Sequence, residues 1–144
     1  MITARDILRE KGEQLYSISP DATVYDALKM MADKDIGAVM VFENDRMVGL
    51  ISERDYARKV ILKGKHSQDT PVRQIMTQDV ISVDPNKTLE ECLELIAEHR
   101  VRHLPVVENN RAVGIISIGD IVKGIIHHKE IIIEQLENYI KGWR

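Results

Sequence analysis

Residues 17–55 read SISPDATVYDALKMMADKDIGAVMVFENDRMVGLISERD, and residues 82–120 read SVDPNKTLEECLELIAEHRVRHLPVVENNRAVGIISIGD. A shift of 65 residues lays one on the other without a gap. Pro20 falls on Pro85, Thr23 on Thr88 and Leu28 on Leu93. Asn44 falls on Asn109, Gly49 on Gly114, Ser52 on Ser117 and Asp55 on Asp120. A register that holds over such a span means two copies of one supersecondary unit, and a repeat of this kind decides the fold.

Each copy has the same local grammar. The stretch Tyr16–Ser19 is a short extended entry, ended by Pro20. Thr23 is a good helix cap, and Asp26 three residues later completes a capping box. Val24, Ala27, Leu28, Met31 and Ala32 then recur at helical spacing. Thr88, Glu91, Leu89, Cys92, Leu93, Ile96 and Ala97 repeat the pattern. The apolar runs Ile36–Phe42 and Val101–Val107 are too short for helices and rich in β-branched residues, so they read as strands. The Asn and Asp residues of 43–46 and 108–111 suit a turn with left-handed backbone. Second strands follow at Met47–Ile51 and Ala112–Ile116, and Ser52 and Ser117 open further helices. The fold class is α/β (α+β), each repeat running strand-helix-strand-strand-helix.

The flanks complete this plan. Thr70-Pro71-Val72 starts a helix, with Thr70 as cap, Pro71 in the first turn and Ile75 and Met76 as its apolar side. Thr3–Arg9, with Ile7 and Leu8, is its counterpart at an offset of 68, so three extra residues sit around Lys11–Gln14. The expected organisation is residues 3–63 as repeat 1, 64–71 as a polar connector, 72–127 as repeat 2 and 128–144 as a C-terminal amphipathic helix. That helix carries Ile131, Ile132, Gln135, Leu136, Tyr139 and Ile140 in a stripe that needs a partner, its own domain or a second copy.

Bulk properties narrow the function. The chain has 144 residues, 44% apolar and 30% charged, which is the composition of one ordinary domain. A net charge of −3 gives no global field for nucleic acid, which is not expected as a partner. No apolar run approaches the ~20 residues of a membrane helix. The first residues lack an apolar signal core, and the single Cys92 excludes an intrachain disulfide. A cytoplasmic protein is the expectation.

The segments IGAVMVFENDRMVGLISERD, VRQIMTQDVISVDPNKTLEECLELI and HRVRHLPVVENNRAVGIISIGDIV resemble paired cystathionine-β-synthase-type (CBS) repeats, the Bateman module. The resemblance covers roughly residues 3–127, and ERDYARK with IIIEQLENYI is similar to short stand-alone CBS-pair proteins. It implies two repeats packed as a pseudo-twofold pair, with clefts between them for AMP, ATP, NAD or related adenosyl ligands. It also implies a regulatory role read by an effector protein, and a homodimer. The inosine-monophosphate dehydrogenase barrel to which some relatives are fused needs about 250 residues and is absent from this sequence.

The chemistry of Gly49–Asp55 fits that implication. A strand ends and a helix starts at Ser52, whose hydroxyl and adjacent free N–H groups suit a phosphate. A carboxylate accepts from vicinal hydroxyls, so Asp55 suits ribose, the role the family gives its matching aspartate. Ser-x-x-Asp is equally a plain capping box. By register and resemblance, one cleft uses Thr77, Val80, Ile81, Leu50, Ser52, Arg54, Asp55 and Arg58. The other uses Tyr16, Ile18, Ala38, His103, Ile115, Ser117 and Asp120. The first repeat has Arg54, Arg58 and Lys59 where the second has Ile118-Gly119 and then Lys123, so the Asp55 cleft is expected to take the more phosphate-rich ligand. Arg100, Arg102 and His103 precede the second middle strand and are a further source of charge.

Nothing in the sequence makes an enzyme. No acid/base pair or Ser–His arrangement stands out, and no catalytic cofactor is expected. His99 and His103 are four apart, but Val101 already starts a strand, so no metal site is expected. Cys92 lies on the buried helix face with no designated base. The alternative reading is a structural dimerisation adaptor with vestigial clefts.

Overall fold

The computed structural model describes residues 1–12 and 15–141, and within the last helix it leaves out the side chains of Ile131, Ile132, Gln135, Tyr139 and Ile140. Most of the expected C-terminal stripe therefore lies outside the described residues. The elements in order are α1 (Ala4–Lys11), β1 (Ser17–Ile18), α2 (Val24–Lys34), β2 (Ala38–Glu43), β3 (Arg46–Ser52) and α3 (Glu53–Tyr56). A π-helical turn, Ala57–Ile61, continues α3. Then follow α4 (Val72–Ile75), α5 (Leu89–His99), β4 (His103–Glu108), β5 (Arg111–Ser117) and α6 (Ile118–Lys141). This is the mixed α/β, twice-repeated order read from the sequence. The expected boundary after residue 127 falls inside α6, which runs unbroken.

The repeat is visible in the caps and registers. Thr23 accepts from the Asp26 N–H at 3.1 Å, and Thr88 from the Glu91 N–H at 3.2 Å, closing a capping box on α2 and on α5. Both helices end on a left-handed residue without glycine, Asp35 at φ 54° and Arg100 at φ 55°. Arg100 thus serves as the C-cap of α5, its N–H donating to the Ile96 carbonyl. The turns between paired strands hold Asn44-Asp45 and Asn109-Asn110 at positive φ, the two-residue geometry that matches strand twist. Ile18 pairs in parallel with Val41 on β2, and Val83 makes a parallel bridge to Val106 on β4.

The compact units do not follow the sequence repeats. The Asp55 unit comprises Gln14–Ile81 with Asn109–Val113; the Asp120 unit comprises Met1–Glu13, Ser82–Glu108 and Gly114–Arg144. The Asp55 unit has a three-stranded sheet of order β1-β2-β3, with β1 parallel to β2 and β2 antiparallel to β3. Its core is Val24, Ala27, Met31, Val39, Val41, Ile51, Val60, Val72 and Ile75. In the Asp120 unit, β4 pairs with β5, and Ala4, Ile7, Leu89, Cys92, Ile96, Leu104, Val106, Ile116 and Ile121 are buried.

Each flank docks on the helix start of its unit in the same way. In the Asp55 unit Val24 N–H donates to Thr70 O, Val72 to Ala22 O and Arg73 to Pro20 O. In the Asp120 unit Leu89 donates to Ile2 O, Ala4 to Lys87 O and Arg5 to Pro85 O. Arg73 reaches Glu43 at 2.6 Å, and Arg5 reaches Glu108 at 2.6 Å. The amino-terminal helix therefore packs in the Asp120 unit, where its Ala4 and Ile7 are buried. The offset of 68 holds for every one of these bonds. Pro71, not Thr70, is the residue before α4; the Thr70 hydroxyl instead donates to His66 O at 2.8 Å.

Candidate functional site

Ser52 and Asp55 sit where β3 gives way to α3. Asp55 Oδ2 accepts from Ser52 N at 2.9 Å and Ser52 Oγ at 3.1 Å, while the Asp55 N–H donates to Ser52 Oγ at 3.2 Å. The capping-box reading of Ser-x-x-Asp thus holds in this state. The other oxygen, Oδ1, accepts from Thr77 Oγ1 at 3.2 Å and pairs with Lys59 Nζ at 2.9 Å. Lys59 also donates to Ile75 O at 3.0 Å. Thr77 is held there by its backbone: Leu50 N donates to Thr77 O and Thr77 N to Leu50 O, extending β3 by an antiparallel bridge. Asp55 is buried, so both oxygens need these donors.

This close approach requires a glycine. A Cβ on Gly49 would lie 2.8 Å from Met76 Sδ and 2.9 Å from Thr77 O. Leu50, Ser52, Asp55 and Thr77, all expected in one cleft, are thereby brought together. Val80 and Ile81 are half-buried in the same unit, and Arg58 is exposed on the π-helical turn. Tyr16, Ile18 and Ala38, expected beside Asp120, belong to the Asp55 unit. Ala38 pairs with Ser52, Ile18 with Val41, and the Lys34 ammonium lies 5.4 Å from the Tyr16 ring centre. A hollow of about 320 Å³ in this unit lies among Leu28, Met31, Ile36, Gly37, Asp35 and Glu53. It includes none of the residues expected to hold a ligand.

The Asp120 unit repeats the cap and changes its surroundings. Asp120 Oδ2 accepts from Ser117 N at 2.8 Å, and the Asp120 N–H donates to Ser117 Oγ at 3.1 Å. Lys11, from the end of α1, pairs with the same Oδ2 at 2.8 Å and donates to Ile115 O at 2.9 Å. Burial pushes the Asp120 carboxyl upward, but the bonds from Lys11 and Ser117 outweigh it and hold it below the usual carboxylate range. His103 on β4 is half-buried near this pair; burial and then the Lys11 charge lower its basicity, against the opposing pull of Asp120. Lys11 was missing from the expected site residues. A lysine at a helix end reads as solvated, and the only clue was the three-residue surplus around it.

Other chemistry is thin. Among the described residues there is no cluster of three or more His, Cys, Asp or Glu placed to hold a metal. Cys92 is fully buried, and burial pushes its thiol up to about 11. No described helix is long and apolar enough to cross a membrane.

The CBS domain profile matches residues 4–62 and 72–127. "CBS domain-containing protein CBSX3, mitochondrial" of Arabidopsis thaliana is 35% identical over 149 residues, spanning 97% of this chain and 72% of that protein. The CBS-domain containing protein ATU1752 from Agrobacterium tumefaciens superposes with a TM-score of 0.80 at 35% identity, covering 85% of this chain and 98% of that one. The CBS domain pair of protein MJ0100, solved with 5′-methylthioadenosine and S-adenosyl-L-methionine, superposes at 0.79 and 21% identity, covering 89% and 98%.

Proposed function

We propose, on the premise that this chain belongs to the CBS domain family, that it is a regulatory module, not an enzyme, that binds an adenine nucleotide such as AMP, ATP or NAD. One observation carries the reading. Two aspartates equivalent by repeat stand at helix starts after a strand, each held by its serine cap and by one lysine. A carboxylate fixed in this way is preorganised to accept the two hydroxyls of a ribose. Arg54 and Arg58 favour a longer phosphate chain at Asp55 than at Asp120. The adenosine ligands of the MJ0100 pair are compatible with a site in this fold. Calorimetry with AMP, ATP, NAD and S-adenosylmethionine tests the reading on the wild-type chain and on Asp55→Ala and Asp120→Ala. Binding of at least one ligand, lost in at least one variant, is expected. Silence from all four ligands with the intact protein would end it.

Exposed apolar residues favour a second role, as a homodimer or adaptor. Val122, Ile126, Ile133 and Leu136 are 44–55% exposed and recur along one face of α6. Sedimentation of nucleotide-free protein distinguishes the roles. A dimer that persists without nucleotide, in a chain that binds none, makes it an adaptor.

A further inference from the structure

The two carboxylates obtain their cations from different places. Lys59 stands one turn beyond Asp55. The equivalent position beyond Asp120 is Gly124, where a Cβ would lie 2.6 Å from Ile7 Cδ1 and 2.8 Å from Leu89 Cδ1. A side chain there would have to push both aside, and the cation comes instead from Lys11 on α1. The oxygens are also used differently. Asp55 has donors on both. Asp120 takes Ser117 N and Lys11 on Oδ2, and among the described residues no donor reaches its Oδ1. A diol can therefore dock on Oδ1 without displacing Lys11. The ammonium spends two of its three hydrogens on Asp120 and the Ile115 carbonyl, which leaves one for the ligand.

We infer that Lys11 is the specificity-determining residue of the Asp120 site, selecting 5′-phosphorylated adenine nucleosides over unphosphorylated ones. The inference rests on the ribose role proposed for Asp120. Alone, the Asp120 carboxylate would repel a phosphate. Paired with Lys11 it is neutral overall and keeps a charged donor beside the bound sugar. A charge-assisted hydrogen bond to phosphate is worth about tenfold or more in affinity.

The test is calorimetry of the full chain with AMP and with adenosine, in an Asp55→Asn background that disables the other site and keeps an acceptor for the Ser52 cap. Lys11→Met is expected to weaken AMP about tenfold and to leave adenosine unchanged, with Lys11→Arg keeping most of the AMP affinity. The AMP advantage should also shrink with added salt in the Lys11 protein and not in Lys11→Met. Undiminished AMP binding by Lys11→Met overturns the inference, as does an equal loss of AMP and adenosine, which would mean only that Lys11 holds α1. A background chain that binds neither ligand, while the wild type binds one, removes Asp120 as a nucleotide site and this role with it. A wild-type chain that binds neither sinks the ribose reading itself.

Discussion

The Asp55 and Asp120 units start from the same repeat and agree in detail until one point on the flank. Met76 presses on Gly49 in one, and Leu8 presses on Gly114 in the other. There they part. In the Asp55 unit α4 stops at Ile75, and Thr77 turns extended to bridge Leu50 through two backbone bonds. In the Asp120 unit α1 runs on to Lys11, and a side-chain ammonium takes the carbonyl of Ile115, the equivalent of Leu50. The three surplus residues are spent on another helical turn. Duplication thus preserved the cap and the carboxylate while the group facing them changed from a backbone strand to a charged side chain. Both carboxylates keep one lysine, Lys59 from the following turn in the first arrangement and Lys11 from the flank in the second, which leaves a carboxylate oxygen open.

The largest effect tests which core each flank serves. Ile7 and Ile75 are equivalent and both buried, so Ile7→Ala and Ile75→Ala should each remove about 2–5 kcal/mol. The lone Cys92 tells the units apart. It is fully buried in α5 of the Asp120 unit, and its raised thiol reacts only when that unit opens. Ile7→Ala should accelerate its labelling by a thiol reagent much more than Ile75→Ala does. Equal acceleration by the two would mean that the units open as one and that the partition of flanks has no energetic meaning.

A smaller effect comes from the two glycines. A methyl on Gly49 meets a backbone carbonyl, Thr77 O, as well as Met76, and the carbonyl is held by its bond to Leu50. A methyl on Gly114 meets only the ends of Leu8, which can rotate away. Gly49→Ala should therefore cost about 1–3 kcal/mol in a urea melt, and Gly114→Ala clearly less. The reverse order would show that the Thr77 bridge yields more readily than a packed leucine.

Much of this was legible in one dimension. The gapless register located both serine–aspartate caps, both threonine caps and both asparagine turns, because each is a local device whose partners lie within a few residues. The partition of the flanks was not legible. α1 and α4 present the same apolar pattern, and pattern alone does not say which copy buries it; only long-range bonds such as Ala4 N–H to Lys87 O decide. For the same reason Lys11 looked solvated: its partners Ile115 and Asp120 lie more than a hundred residues away in the chain. The left-handed backbone of Arg100 was not legible either, because αL termini are expected at glycine or asparagine.

The smallest effect belongs to the charge that distinguishes the Asp120 unit. His103 has a folded-state basicity below its ordinary value of 6.5, first through burial and then through Lys11, with Arg102 adding to it and Asp120 opposing. The unfolded chain therefore binds the proton more readily. Stability from this group is complete above pH 6.5 and declines as the pH falls below it toward the folded value. Thermal melts between pH 7.5 and 5.5 should show that decline in the wild type and a flatter profile in His103→Gln. Lys11→Met should also flatten it, since removing the ammonium raises the folded basicity of the imidazole. Replacing Lys59, the cation of the other unit, should leave the slope alone; a slope that responds to Lys59→Met and not to Lys11→Met would place the titrating group outside the Asp120 unit.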